Sequence, residues 1–426
     1  MTRTTKAALL TVATTVLVGA TGGVPALAAP PPADYPANPL DKPGYYLTAH
    51  DEFNVSGATL TPQLWNTRYL PHWSDTANEA RYGIADGRLD LRIDRDTPAW
   101  DPARDGNTKV SGIQTAERDW LHRWTNYSGN AHHEETRLQH IQRYGYFEIR
   151  AKVAKGGGLH SAWWMIGAQQ DIDSATGATK QNGELDIFEI LGRDTTRGLF
   201  NWHRWSDTRT REQSTTFDAG VDLSAAYHVY GLEWTPTQMK LYLDNVLIKT
   251  IDQSPDYPML TMLGLYEKSD PGSWTGPFDP TVPYPKTFSI DYFRAYQKTP
   301  TTPYSLELDD AALYGSARSA VVGNATGGRA VRQLGQGYAN RAVLDELHAP
   351  AAGDRALTLR YASAEPRSIT YRINGGAPVT VALSATGGWT SFATKTFTAR
   401  LVAGANTIEF YNPSGWAPDI DTLSVN

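Results

Sequence analysis

The 426-residue chain is 40% hydrophobic and 11% aromatic, enough to bury a large core, which excludes global disorder. A formal net charge of −6 and a pI near 5.9 speak against nucleic acid or an anionic membrane as the main partner. With no cysteine there is no disulfide, no thiolate metal site and no cysteine nucleophile, so the fold must rest on its core alone.

In chain order, Arg3 and Lys6 precede an apolar run from Ala7 to Val18 and the small residues Ala26-Leu27-Ala28. This predicts a secretory signal peptide over residues 1–29, cleaved after Ala28 or Ala29, and an extracellular protein; the run is too short to span a bilayer. Residues 30–44 are Pro-rich and read as an extended lead-in. From about Leu47 the chain alternates apolar and polar residues between turn signals: Asp51-Glu52-Phe53, Asp86 to Ile93, Ser111 to Thr115, and Tyr144 to Val153. In Tyr144 to Val153 one face carries Tyr146, Glu148 and Arg150 and the other Phe147, Ile149 and Ala151. No long segment has helical periodicity, so the fold class is all-β.

The run Gly183-Glu-Leu-Asp-Ile-Phe-Glu-Ile-Leu-Gly192 interleaves three acids with apolar residues and reads as a strand. Glu184 and Asp186 share one face, with Leu185 and Ile187 on the other. In a regular strand Glu189 would point into the apolar side, a costly place for a carboxylate. One extra residue in a β-bulge restores it to the face of the other two. A row of three carboxylates must push at least one pKa upward, and a raised acid beside an ionised one is what glycosidic cleavage requires. A solvated acidic strand face is the alternative reading of these residues alone.

Further strands follow. Phe200 to Trp205 puts His203 and Trp205 on one face, Tyr227–Trp234 and Met239–Ile248 read as a hairpin pair, and Thr287–Tyr296 closes the unit. Residues 299–303 are a Thr/Pro linker, and 304–426 alternate again as a second, smaller β-sandwich. Eleven of the thirteen tryptophans precede residue 299, concentrating the flat surfaces that sugar stacking and core packing both use in the first domain.

Taken together, Asp51-Glu-Phe53, Tyr144 to Arg150, Trp164-Met165, Gly183 to Gly192, Tyr230-Gly-Leu-Glu-Trp234 and Asp291-Tyr-Phe-Arg294 resemble glycoside hydrolase family 16, the laminarinase, agarase and carrageenase clan, over residues 45–298. The resemblance implies a jelly-roll β-sandwich with an open cleft, of the bulged branch, with Glu184 as nucleophile, Asp186 as its assisting carboxylate and Glu189 as general acid/base. It also places Trp164 and His203 in the cleft, with Trp205 on the His203 face. The chain departs from the usual laminarinase Trp-Pro-Ala-Phe-Trp at Leu159-His-Ser-Ala-Trp-Trp164, and from a Gly-Gly stretch at Gly264-Leu-Tyr-Glu-Lys268.

Residues 304–426 resemble carbohydrate-binding modules of families 6 and 35 through Glu307-Leu-Asp309, Leu359 to Ala362, Gly387-Gly-Trp389, Ala403 to Ile408 and Pro418 to Asp421. That implies a structural Ca²⁺ at Glu307, Asp309 and Asp421, whose hard oxygens suit calcium, and a sugar site at Tyr338, Trp389 and Asn412. The expectation is a secreted, monomeric, retaining endo-hydrolase of a β-linked polysaccharide, with no cofactor for catalysis and no nucleic-acid or membrane partner. β-1,3-Glucan is the first substrate class, with an endo-β-1,3-galactanase or agarase-type reading next. The rival from another class is a non-catalytic glycan-recognition protein, which would be expected to lose the acid row.

Overall fold

Period-two sequences become strands here because one face of each finds a second sheet to cover it. The structure, a computed structural model, describes residues 33–74, 79–122, 133–169, 181–270 and 273–426. The signal-peptide reading of 1–29 and the start of the lead-in lie outside those residues.

Two antiparallel sheets face each other over residues 45–298. Among the described residues one has eight strands, running from Val246–Ile251 through Met239–Leu243, His228–Trp234, Gly145–Lys152, Lys286–Lys298 and Arg88–Ile93 to Tyr82–Ala85, with Tyr45–Asp51 paired to Lys286–Lys298. The other has six: Gln213–Asp218, Arg197–His203, Glu184–Leu191, Leu159–Gly167, Met259–Glu267 and Lys109–Gln114. Phe147, Ile149 and Ala151 from the first sheet meet Trp163, Met165, Leu185, Phe188 and Trp202 from the second in one fully buried layer. Trp163 and Trp202 are thus core, whereas Trp164 turns to the opposite face with Ala162, Ile166 and Met262.

The expected hairpin partner Met239–Ile248 is in fact two strands, Met239–Leu243 and Val246–Ile251. Asp244 and Asn245 both have positive φ, 50° and 65°, the backbone that a two-residue type I′ turn demands and that Asp and Asn tolerate. The lead-in is also more than a spacer. The Asn38 amide donates to Glu148 at 2.8 Å, Arg150 donates to the Tyr35 carbonyl at 2.8 Å, and Arg294 to that of Asn38 at 2.8 Å, tying residues 35–38 across the outer face of the eight-stranded sheet.

Residues 304–426 form two further sheets around a separate core that includes Leu308, Leu357, Leu359, Ile408, Phe410 and Leu423. This second sandwich does not swing free on residues 299–303. Arg143 pairs with Asp310 at 2.7 Å, Arg118 donates to the Leu313 carbonyl at 2.9 Å and Gln169 to that of Ala311 at 2.7 Å. The Tyr46 hydroxyl reaches the Glu346 carbonyl at 2.8 Å and its ring lies 4.5 Å from that of His348. Ala312, Tyr314 and Val343 complete an apolar cluster begun by Leu138, Ile141 and Ile166.

Candidate active site

The acidic strand Glu184–Leu191 sits near the middle of the six-stranded sheet, and its pairing contains the bulge. On one side Asp186 faces Asn201 while Glu189 faces Leu199; on the other Asp186 faces Trp164 while Phe188 faces Trp163. Ile187 is the residue with no cross-strand partner on the Trp163–Trp164 side, and it is buried in the core. One extra residue switches the phase, so Glu184, Asp186 and Glu189 line one cavity of about 220 Å³ with Tyr69, Trp164, Tyr266 and Trp274.

Neighbouring strands hold each carboxylate. The Trp205 indole donates to Glu184 at 2.9 Å from a residue in the left-handed region, φ 44°. Such a backbone is uncommon for a bulky side chain and tends to persist where the surroundings over-determine it. His203, directly opposite Glu184 in the ladder, has Nε2 3.2 Å from Asp186, and its Nδ1 lies 3.2 Å from Glu212. Asn201 bridges the row, its amide donating to Glu189 at 3.0 Å and to Asp186 at 3.4 Å. The Ser214 hydroxyl donates to Asn201 Oδ1 at 2.6 Å, which fixes the amide with its N–H side toward the acids. All three sequence-expected cleft residues, Trp164, His203 and Trp205, therefore reach the row.

Sequence reasoning missed Asn201, which alternation alone places on the His203 face. It also missed the wall beyond Glu189. His160 Nε2 lies 3.3 Å from Glu189, and the His160 ring stacks on Tyr266 at 5.0 Å and meets Trp274 edge-on at 4.9 Å. Tyr266 folds back across its own strand, where a Cβ on Gly264 would stand 2.5 Å from the Tyr266 hydroxyl; that hydroxyl accepts from the Trp164 indole at 3.1 Å. The signal was present in the two departures from the laminarinase pattern: His160 and Tyr266 come from them and lie against each other.

Burial, then the Asp186 charge, pushes Glu184 up to about 8. Burial, then the Glu189 charge, pushes Asp186 up to about 6, against the pull of His203 and Asn201. The hydrogen bond to Asp186 pushes His203 up to about 9, against the cost of burying a cation. Burial and mutual charge thus oppose full ionisation of the Glu184–Asp186 pair, beside a His203 held toward its imidazolium form.

A second cavity of about 230 Å³ opens on the Glu184 side, lined by Leu70, Trp73, Trp100, Trp164, Asn182 and Trp205 among others. The row thus divides one cleft into an aromatic chamber beside Glu184 and another beside Glu189.

In the second sandwich the proposed ligands separate. Trp389 lies in a cavity with Arg318, Arg332, Arg367, Trp416 and Asp419, whereas Tyr338 is exposed elsewhere, its hydroxyl donating to Glu409 at 2.8 Å. Asn412 is buried and spent on its own chain, donating to the Ser368 carbonyl at 2.9 Å and accepting from the Ser414 and Gly415 amides at 3.1 Å. Asp421 accepts from Arg360 and from the amide and hydroxyl of Thr326. Glu307 Oε2 is buried without a partner, and burial and the adjacent Asp309 charge raise the Glu307 carboxyl.

Residues 107–292 match the family described as glycosyl hydrolases family 16. A GlcNAcα1-4Gal-releasing endo-β-galactosidase from Clostridium perfringens is 32% identical, superposes with a TM-score of 0.56, and is covered over 80% of its length by 73% of this chain. A β-glucanase of Acetivibrio thermocellus is 28% identical over 187 residues, 43% of this chain and 51% of that protein, so the chain spans about half the length of this curated relative. A family 35 carbohydrate-binding module from Clostridium thermocellum is 29% identical over 29% of this chain and 97% of its own, with a TM-score of 0.28. By the match to the family and the extent of the endo-β-galactosidase likeness, the chain belongs to glycosyl hydrolases family 16.

Proposed function

We propose that this chain is a secreted, retaining endo-hydrolase of a β-galactosidic polysaccharide. The observation that carries the reaction is the bulge at Ile187, which turns Glu189 onto the cleft wall that already holds Glu184. Glu184, oriented by the Trp205 indole, attacks the anomeric carbon. Glu189, steered by Asn201 and His160, protonates the departing glycosidic oxygen. A glycosyl–Glu184 ester forms, and Glu189 then deprotonates the water that releases it, restoring the starting configuration. Asp186 takes up the proton that Glu184 must shed, so the negative charge passes from Asp186 to Glu184 while the His203 imidazolium stays beside the pair. Because attack occurs on one side of the scissile oxygen and protonation on the other, the chamber beside Glu184 receives the glycone and the chamber beside Glu189 the aglycone.

The galactoside reading is supported by the Clostridium perfringens likeness, which extends over 73% of the chain. A β-glucan is the second reading, supported by the β-glucanase matches within the catalytic sandwich, with the 1,3 linkage resting on the sequence resemblance alone. Reducing-sugar release from β-1,3-galactan, agarose, carrageenan, GlcNAc-capped galactans, laminarin and lichenan separates them: turnover of laminarin alone refutes the galactoside. Glu184→Gln keeps the shape and removes the attacking charge, so it should lower turnover by about 10³-fold or more with an unchanged melting curve. Wild-type hydrolysis by that variant would mean a different nucleophile, and hydrolysis of none of these polymers by the parent chain would leave the non-catalytic glycan-recognition reading. N-terminal sequencing of exported protein tests secretion, with Ala29 or Pro30 expected first.

The second sandwich serves in this reading as a carbohydrate-binding module. Calcium fits it in part: Glu307 and Asp309 offer hard oxygens, one of them buried and unpartnered, while Asp421 would join only on release of Arg360. The ion would be structural. EGTA should then lower the melting temperature while leaving hydrolysis of soluble oligosaccharide at 25 °C intact, and an unchanged melting curve refutes the site.

A further inference from the structure

The two sandwiches enclose a cavity of about 270 Å³ between them, with Arg118, Asp119 and Trp120 on one wall and Ser316, Arg318 and Gln333 on the other. Its walls are shared with its neighbours. Two residues beyond Trp120, His122 lines the aromatic chamber beside Glu184, its Nε2 2.6 Å from the Gly167 carbonyl. Trp120 and His122 are both held in the left-handed region, φ 57° and 52°, around a fully buried Leu121. Bulky residues keep such a backbone where the surroundings over-determine it, and such places cluster at ligand sites. At the other end Arg318 and Gln333 line both this cavity and the one around Trp389. The three cavities follow one another in the order catalytic cleft, sandwich interface, second sandwich.

Arg118 supplies the first chemical clue. It is only 7% exposed, yet among the described residues both of its hydrogen bonds leave from Nη1, to Gln169 at 2.9 Å and to the Leu313 carbonyl at 2.9 Å. A guanidinium carries five donors in one plane, so those on Nε and Nη2 are available to a ligand in the cavity. Burial, only partly offset by the charges of Asp119 and Tyr314, lowers the Arg118 pKa to about 10, the mark of a cation short of acceptors. Asp119 accepts from His133 Nδ1 at 2.9 Å, and the Trp120 indole donates to Nε2 of the same imidazole at 2.7 Å, so carboxylate and ring are held as one unit.

We propose that the cavity between the sandwiches is a saccharide site, which takes the glycone-side continuation of the chain lying in the catalytic cleft, a sugar ring against Trp120 and its hydroxyls on Arg118 and Asp119. This rests on the reading of the cleft as that of an endo-hydrolase and extends its reach onto the second sandwich, whatever that sandwich binds at Trp389. The chemistry selects a neutral polyol. A hydroxyl both donates and accepts, so neighbouring hydroxyls satisfy a guanidinium and a carboxylate side by side, whereas a cation meets Arg118 and an anion meets Asp119. An aromatic ring beside a few fixed polar groups is the usual make-up of a small-ligand site. The walls are also preformed, because Arg143–Asp310 and the apolar cluster at Ala312 and Tyr314 already hold the sandwiches together, so little ordering remains to be done on binding.

The test is the length dependence of hydrolysis by the full chain, on a ladder of oligosaccharides cut from whichever polymer of the panel above it turns over fastest. For the parent, kcat/KM should go on rising with length after the chambers beside Glu184 and Glu189 are filled. Trp120→Ala removes the ring, and Ser316→Trp fills the cavity from the second sandwich. Each should lower kcat/KM for the longest members by about tenfold, through KM with kcat unchanged. The shortest members do not reach the cavity and should be cut by both variants as by the parent, and Trp120→Phe should keep most of the gain with length. A purely structural role for Trp120 would instead lower the rate at every length alike, which overturns the proposal. So does a parent with the same length dependence as both variants, and in either case the hydrolase reading stands. Turnover of no polymer in the panel overturns both.

Discussion

His203 is the residue through which the acid row meets solvent pH. Its imidazolium stands 3.2 Å from Asp186 and pulls down both Asp186 and Glu184, each of which burial pushes up. For a retaining reaction Glu184 must be ionised to attack, so kcat/KM should rise with pH as the Glu184–Asp186 pair sheds its first proton. Removing the cation in His203→Gln leaves the anions less stabilised, so the rising limb must move to higher pH. An unmoved limb would mean that His203 serves packing alone. Glu189→Ala should slow substrates with poor leaving groups far more than aryl glycosides with good ones, by about 10²-fold or more for the former, because only the former need a proton on the leaving oxygen. That Glu184, Asp186 and Glu189 form one acid row could be read from spacing, whereas their separate roles came only from the family resemblance. Asn201 and His160 could not be read so readily, because each matters through a partner on another strand.

At the scale of the element, the acidic strand works because of one unpaired residue. Deleting Ile187 would remove the unpaired residue and leave a regular period-two strand in which Glu184, Asp186 and Glu189 still share one face. Hydrolysis should therefore persist, while loss of the buried Ile187 side chain lowers the melting temperature; a folded deletion variant without activity would show that the bulge is needed for more than the face it gives Glu189. The bulge was legible because Glu189 is out of phase in a pattern of period two. The break inside Met239–Ile248 was not read, although Asp244-Asn245 carries the chemistry of a two-residue turn: apolar alternation continues across it in Leu243 and Val246, and pattern outweighed turn chemistry. Tyr266 shows a different limit. Its sequence is that of any strand, and only the bare Gly264 two residues earlier gives its ring room to fold back toward Trp164.

For the whole molecule, the Thr/Pro stretch at 299–303 suggested two independent units, and the contacts say otherwise. Composition shows where a chain bends but not what packs afterwards, and Arg143, Arg118 and Gln169 find their partners in the second sandwich only in three dimensions. Removing residues 304–426 should therefore bare part of the cluster around Leu138 and Ile141 and free Arg143 from Asp310. Losing the cover over even two such side chains costs about 3 kcal/mol, a fall of roughly 6–12 °C for a domain of this size; a truncated protein that melts with the parent would show the docking to be superficial. The rigid docking also bears on how the enzyme works along a polymer. A tethered module lets a cleft sweep every bond within reach of its leash, whereas a module locked to the cleft sets a fixed stride between the sugar that is gripped and the bond that is cut. If the proposed function holds, fragment lengths from an immobilised chain should cluster about the distance between the two sites, as along a ruler, and a random fragment distribution would refute this.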